Sequence, residues 1–162
     1  MIQLQLSTEH SVVSEVIRVW TRAWCSHVDL VMPDLGSDYP QLAGKAGWLL
    51  GARSDGGVLL RPPGYAPFSQ TEIVSFAATD TQAHAFVNYA LLQLGKPYDH
   101  HAIAGLALDR NWRSPDQWFC SELAMACLEE AEIVHKITSP VNFISPRDIL
   151  ILAEAMQLDA VA

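Results

Sequence analysis

Apolar and polar residues along this chain alternate with two periods, and the switches between them mark the elements. The segment HSVVSEVIRVW carries Val12, Val13, Val16, Ile17, Val19 and Trp20 at helical spacing. SHVDLVM follows with period two, which puts Val28, Leu30 and Met32 on one face of a strand and His27, Asp29 and Val31 on the other. PDLGSDYPQLAGK is punctuated by Pro and Gly and reads as a loop. GWLLGAR and GVLLR flank Ser54, Asp55 and Gly56, a pattern that predicts a hairpin turning at Asp-Gly. A second loop, RPPGYAPFSQ, leads into TEIVSFAA, a further strand.

The clearest helix is expected over 80–94, where Ala83, Phe86, Val87, Ala90, Leu91 and Leu94 form one stripe. Thr79 or Asp80 can cap its start, and Gly95 stands where helices commonly end. After a loop containing KPYDHH, a helix begins at Cys120, with Leu123, Ala124, Cys127, Leu128 and Ala131 as its apolar stripe and Glu122, Glu129 and Glu130 opposite. The last helix opens at Ser145, with Pro146 at its first position and Asp148 in its first turn. Helices at both ends and a small antiparallel sheet between them predict an α+β domain.

Composition narrows the function classes. The 162 residues suffice for one hydrophobic core, and no linker, repeat or charge block divides them, so a single domain over 1–162 is expected. Lys plus Arg number 10 against 18 Asp plus Glu, a formal charge of -8. That balance leaves no basic stripe for a phosphate backbone, and nucleic acid is not an expected partner. MIQLQLSTEH has neither a positive n-region nor an apolar h-region, and no apolar run reaches the length of a membrane span. Three cysteines cannot form a disulfide framework and suit a reducing compartment, so a cytoplasmic start is expected.

The cysteines differ in position. A nucleophilic cysteine reacts as the thiolate and needs help from a helix N-terminus or an imidazolium. Cys120 sits where a helical stripe begins; Cys127 lies two turns inside it and reads as core filling, and Cys25 precedes a strand and reads as structural. Among six histidines, His10, His84 and His135 are expected in solvent. His27 opens a hydrophobic strand with Asp29 two residues on, on the same face. Such a pair suits an imidazole held by a carboxylate, as a nucleophile–base–orienter triad requires. The alternative is a strand-edge histidine beside a surface aspartate. His100 and His101 lack a second His or Cys at zinc spacing, so neither a metal nor another cofactor is expected.

LGKPYDHH followed further on by FCSEL resembles the NlpC-type branch of papain-like cysteine hydrolases. In that branch a Gly-x-Pro-Tyr segment precedes a Cys-Ser dipeptide at a helix start, and a Gly/Ser-His-Val strand follows the cysteine. Here Ser26, His27 and Val28 carry the strand pattern ahead of Cys120, the order of the circularly permuted subset that includes YiiX-like proteins and lecithin–retinol acyltransferase relatives. The resemblance implies Cys120 as nucleophile, His27 as general base and Tyr98 near the thiolate, helping to hold an oxyanion. It also implies a third, polar residue on the strand after the histidine strand. GWLLGAR offers only Gly51 or Ala52 there, so Asp29 is the best local orienter. Residues two apart on a strand are roughly 6.5–7 Å apart by backbone rise, so a direct bond needs favourable rotamers. The aspartate that often precedes the cysteine is replaced by Phe119, which leaves the Cys120 backbone N–H as the identifiable oxyanion donor.

The expected activity is thiol hydrolase or acyltransferase chemistry through a Cys120 thioester. The candidate substrates are a peptide or peptidoglycan fragment, an isopeptide, or a lipid-like amide or ester. The alternative is a ligand-binding or phage-assembly module that kept the fold without the chemistry. Aromatic-rich loops such as GYAPF and RNWRSPDQWF would then line its groove.

Overall fold

The computed structural model of the chain describes residues 1–99, 116–135 and 144–159. Among them lie the strands β1 (Ile2–Glu9), β2 (His27–Val31), β3 (Leu49–Arg53), β4 (Gly57–Arg61) and β5 (Phe68–Phe76). The α-helices are α1 (Val12–Thr21), α2 (Asp80–Leu92), α3 (Cys120–Glu130) and α4 (Pro146–Asp159). The class is α+β, as expected: a five-stranded antiparallel sheet in the order β4-β3-β2-β1-β5, packed with helices.

One expectation fails at the N-terminus. The first element is not a helix but β1, an interior strand flanked by β2 and β5. Ile2, Leu4 and Leu6 alternate with Gln3 and Gln5 and are buried, the period-two signature of a strand with one face in the core. Leu4 pairs with Leu30 on one side and Val74 on the other, and Leu30 pairs with Leu50. Directly opposed residues share a face, so these side chains form one apolar layer. It is continuous with Phe86, Val87 and Ala90 of α2, Leu123, Cys127 and Leu128 of α3, and Ile149 of α4. Each such Leu contributes about 1.5–3 kcal/mol by leaving water.

The first helix forms where its spacing predicts, but its valines do not supply the buried face. Val12 is 80% and Val19 74% exposed, whereas Ser14, Ile17 and Thr21 are buried. Buried hydroxyls need partners, and Ser14 has two: its Oγ lies 2.6 Å from Ser26 Oγ and 3.0 Å from Thr8 Oγ1. Ser26 in turn donates to Thr8 Oγ1 at 3.3 Å, closing a ring of hydroxyls that ties α1 to β1 and to the residue before β2.

The second helix starts at the expected cap, where Thr79 and Gln82 bond each other reciprocally. It stops at Leu92, short of Gly95. The Gly95 N–H donates to the Val58 carbonyl and the Val58 N–H to the Lys96 carbonyl, each at 2.9 Å. Gly57 lies against that same Lys96 carbonyl with no room for a Cβ. This clasp holds residues 95–97 beside β4 and delivers Tyr98, which bridges to Trp118 just ahead of α3. No helix among the described residues is long and apolar enough to cross a membrane.

Candidate active site

Cys120 is the first residue of α3, and Phe119 before it is extended, with φ -88° and ψ 155°. The Phe119 N–H donates to Glu122 Oε2 at 3.0 Å. The helical pattern predicts Glu122 on the polar face; it is buried instead, because a carboxylate at the third helical position reaches back to cap the start. Cys120 therefore sits in the partial positive charge of a helix N-terminus. It is 2% exposed and lines a cleft of about 190 Å³ together with His27, Ser26, Ser14, Tyr98 and Arg53. The other two cysteines are in the core, as their positions suggest. Burial pushes the Cys25 thiol up to about 12, and burial raises Cys127 as well.

His27 begins β2, and Asp29 follows on the same face. The backbone rise between them is bridged by rotamers: His27 Nε2 lies 3.0 Å from Asp29 Oδ1. Asp29 is fully buried, which removes the reading of a surface aspartate. Oδ1 has no aligned hydrogen bond, so this contact is chiefly Coulombic. Burial alone would push His27 down, but the Asp29 carboxylate and the Cys120 sulfur act against it and raise the imidazole to about 10. Burial likewise opposes ionisation of Asp29, and the neighbouring His27 overcomes it to hold the carboxyl below its usual range. With Nε2 turned to Asp29, Nδ1 is the nitrogen left for Cys120.

The missing acid on β3 has a spatial explanation. The pairs Leu30–Leu50 and Val31–Leu49, continued by one residue, set Gly51 opposite Asp29. A Cβ on Gly51 would fall on Asp29 Oδ1, far inside contact distance. Asp29, on the neighbouring strand, fills the space that a side chain at Gly51 would take.

Sequence reasoning misses one further side chain at this site. Tyr65, in the loop between β4 and β5, donates to Asp29 Oδ2 at 2.9 Å, and its oxygen is 3.3 Å from His27 Nε2. Burial and the Asp29 charge hold its phenol protonated well above the ordinary range. The only sequence signal is the aromatic-rich GYAPF loop, which by itself suggests a groove wall.

Tyr98 lines the same cleft, with its ring 5.9 Å from that of Phe119; burial first, then Cys120, raises its pKa. Thus Cys120, His27, Asp29 and Tyr98 lie together. His10 and His135 are exposed, whereas His84 sits 3.3 Å from the Tyr39 hydroxyl and 3.6 Å from Asp38. Trp118 and Phe119 are buried, and Trp118 donates to Gln93 at 3.1 Å. His100, His101, Arg110, Trp112 and Arg113 lie outside the described residues.

The raised His27 predicts a pH-dependent stability. Its contribution is fully present below the unfolded imidazole value of about 6.5 and is lost as pH rises through about 10. Urea unfolding at several pH values should show the wild type losing a few kcal/mol more than His27→Ala between pH ~7 and ~10.5. Parallel curves would remove the ion pair from the stability balance.

No protein-family model matches the chain, and no curated protein sequence matches it. Among solved structures, the crystal structure of the metalloprotein YiiX from Escherichia coli O157:H7 matches with a TM-score of 0.61 at 18% identity, covering 87% of this chain and 76% of that one. This chain therefore has a YiiX-like fold, at a sequence distance where fold is what the two share.

Proposed function

We propose that this protein is a thiol acyl-transfer enzyme, a hydrolase or acyltransferase in which Cys120 forms a thioester with an amide or ester substrate. The observation that carries this reading is a cysteine at a helix N-terminus in a cleft, acted on by a histidine that a buried carboxylate holds from behind. A helix N-terminus and an imidazolium are the two kinds of help that a nucleophilic cysteine uses.

In the resting pair the Cys120 Sγ proton already resides on His27 Nδ1, and the thiolate attacks the carbonyl carbon. The carbonyl π electrons move to oxygen, which the Cys120 backbone N–H and Tyr98 hold; one such donor is worth about 3–4 kcal/mol in the transition state. Collapse of the intermediate breaks the carbon–nitrogen or carbon–oxygen bond, and His27 returns its proton to the leaving amine or alcohol. Water or another acceptor then attacks the thioester as His27 takes its proton, and Cys120 leaves as thiolate.

A second recess of about 470 Å³, walled by Gly56, Gly57, Gly95 and Gln117, shares Tyr98 and Ser54 with the cleft. Space beyond the thiol suits a bond inside a longer molecule, such as a peptide, isopeptide or lipid amide. The E. coli neighbour is named a metalloprotein. Here no group of three or more His, Cys, Asp or Glu among the described residues is arranged to hold a metal ion, and His27 and Asp29 are engaged with each other. These residues do not fit a metal centre, and no step is routed through one.

The test is acylation by p-nitrophenyl acetate followed by peptide mass spectrometry. An acetyl adduct on Cys120, absent from Cys120→Ala and slower to form in His27→Ala, is expected. Labelling spread evenly over surface nucleophiles, with Cys120 unmodified, would end the proposal.

A further inference from the structure

We infer that Tyr65 is a positioning residue of this site: its phenol locks the Asp29 carboxylate, and through it the His27 imidazole, in the orientation that presents Nδ1 to Cys120. This rests on the thiol reading above and adds a member that neither the sequence pattern nor the fold comparison assigns.

The geometry fixes the direction of each bond. Asp29 is a carboxylate and only accepts, so the Tyr65 hydroxyl must donate to Oδ2. Its proton is then committed, and the lone pairs of the phenol oxygen are the part that can face His27 Nε2 at 3.3 Å. Nε2 thus faces Asp29 Oδ1 at 3.0 Å as a charge contact and the Tyr65 oxygen at 3.3 Å as a hydrogen-bond acceptor. Of the two carboxylate oxygens, Oδ2 is the one carrying an aligned hydrogen bond. Without the phenol, a buried carboxylate facing a glycine has little to stop it turning about its Cβ–Cγ bond.

Tyr65 is itself held firmly. The guanidinium carbons of Arg53 on β3 and Arg61 on β4 each lie 5.3 Å from its ring centroid, and Phe68 packs edge-on at 5.2 Å. Arg53 is anchored in turn by Glu9 on β1, with Nη2 3.2 Å from both carboxylate oxygens. The charged and titratable groups around the imidazole are Asp29 on its own strand, Tyr65 and its two arginines, and Cys120 from α3, with Glu9 of β1 and Tyr98 lining the same cleft. A loop residue held this way acts as a stay on the strand below it.

The experiment is alkylation of Cys120 by iodoacetamide from pH 5 to 9, followed by peptide mass spectrometry, in wild type, His27→Ala and Tyr65→Phe. The His27 titration is read by NMR in wild type and Tyr65→Phe. Phenylalanine keeps the ring against the two arginines and Phe68, so the variant isolates the hydroxyl. Loss of one charge-assisted hydrogen bond predicts alkylation about 10-fold slower at pH 6 in Tyr65→Phe, with a lowered His27 midpoint. Slowing in His27→Ala beside a Tyr65→Phe profile and midpoint matching wild type overturns the role of Tyr65 alone. An unchanged rate in His27→Ala overturns the thiolate–imidazolium reading and the role of Tyr65 with it.

Discussion

Gly51→Ala is expected to slow Cys120 alkylation at pH 6 by about 100-fold, approaching the rate of His27→Ala, and to destabilise the protein by about 3 kcal/mol. A single methyl has this effect because of where it lands. The added Cβ and Asp29 Oδ1 claim the same space. Neither backbone can retreat, since β2 is paired to β1 along its length and β3 to β4 along its length. The carboxylate must rotate away, which releases His27 and strands a buried charge. Iodoacetamide rates and urea unfolding check the two effects separately. If Gly51→Ala matched wild type in both, the space between the strands would have no bearing on the site. Ala52→Gly, one residue on but on the opposite face, is the natural control for backbone flexibility.

Asp29→Asn should remove the activity on p-nitrophenyl esters by about 10³–10⁴-fold at pH 7 with the cleft shape intact. Asparagine is nearly isosteric, so the change is electrostatic. Three influences set the imidazole in the wild type: burial pushes it down, and Asp29 and Cys120 push it up. With the carboxylate gone, burial meets less opposition, and the His27 midpoint should fall from about 10 to near or below its ordinary value. At neutral pH the imidazole would then be uncharged and the thiol would lose its counter-ion. An amide can also present its NH₂ to Nε2, which favours the wrong tautomer. An Asp29→Asn variant whose His27 still titrates near 10 would assign the shift to Cys120 rather than to the carboxylate.

Much of this site is readable in the sequence, and the failures have physical causes. Cys120 stands out because a helical stripe begins at it, and His27 and Asp29 because period two puts them on one face. Those are local relations. Tyr65 is 36 residues from Asp29, and only the return of the β4–β5 loop across the sheet brings them together. No periodicity encodes that. Gly51 is the subtler case: the sequence shows the absence of an acid, whereas the structure shows that the absence is itself the accommodation. The fold follows the same division. The hairpin at 54–56 and the helices at 80 and 120 announce themselves through turn chemistry, caps and spacing. β1 is not foreseen: its alternation covers only a few residues ahead of the first helical pattern, and its interior place depends on partners at 27–31 and 68–76. The first helix is legible as a helix, yet its inward face is chosen by a ring of hydroxyls and not by its valines.

The order of elements along the chain has a consequence for how reactivity arises. Among the described residues the five strands lie within 2–76, and the helix bearing Cys120 follows them. His27, Asp29 and Gly51 on the sheet, and Tyr65 in the loop between β4 and β5, thus all precede Cys120 in the chain. Until α3 docks, the thiol has neither its imidazole nor its helix terminus, and behaves as an ordinary cysteine. Of the residues that line the cleft, Cys120 is the last in chain order, so the cleft is complete only once α3 packs onto the sheet.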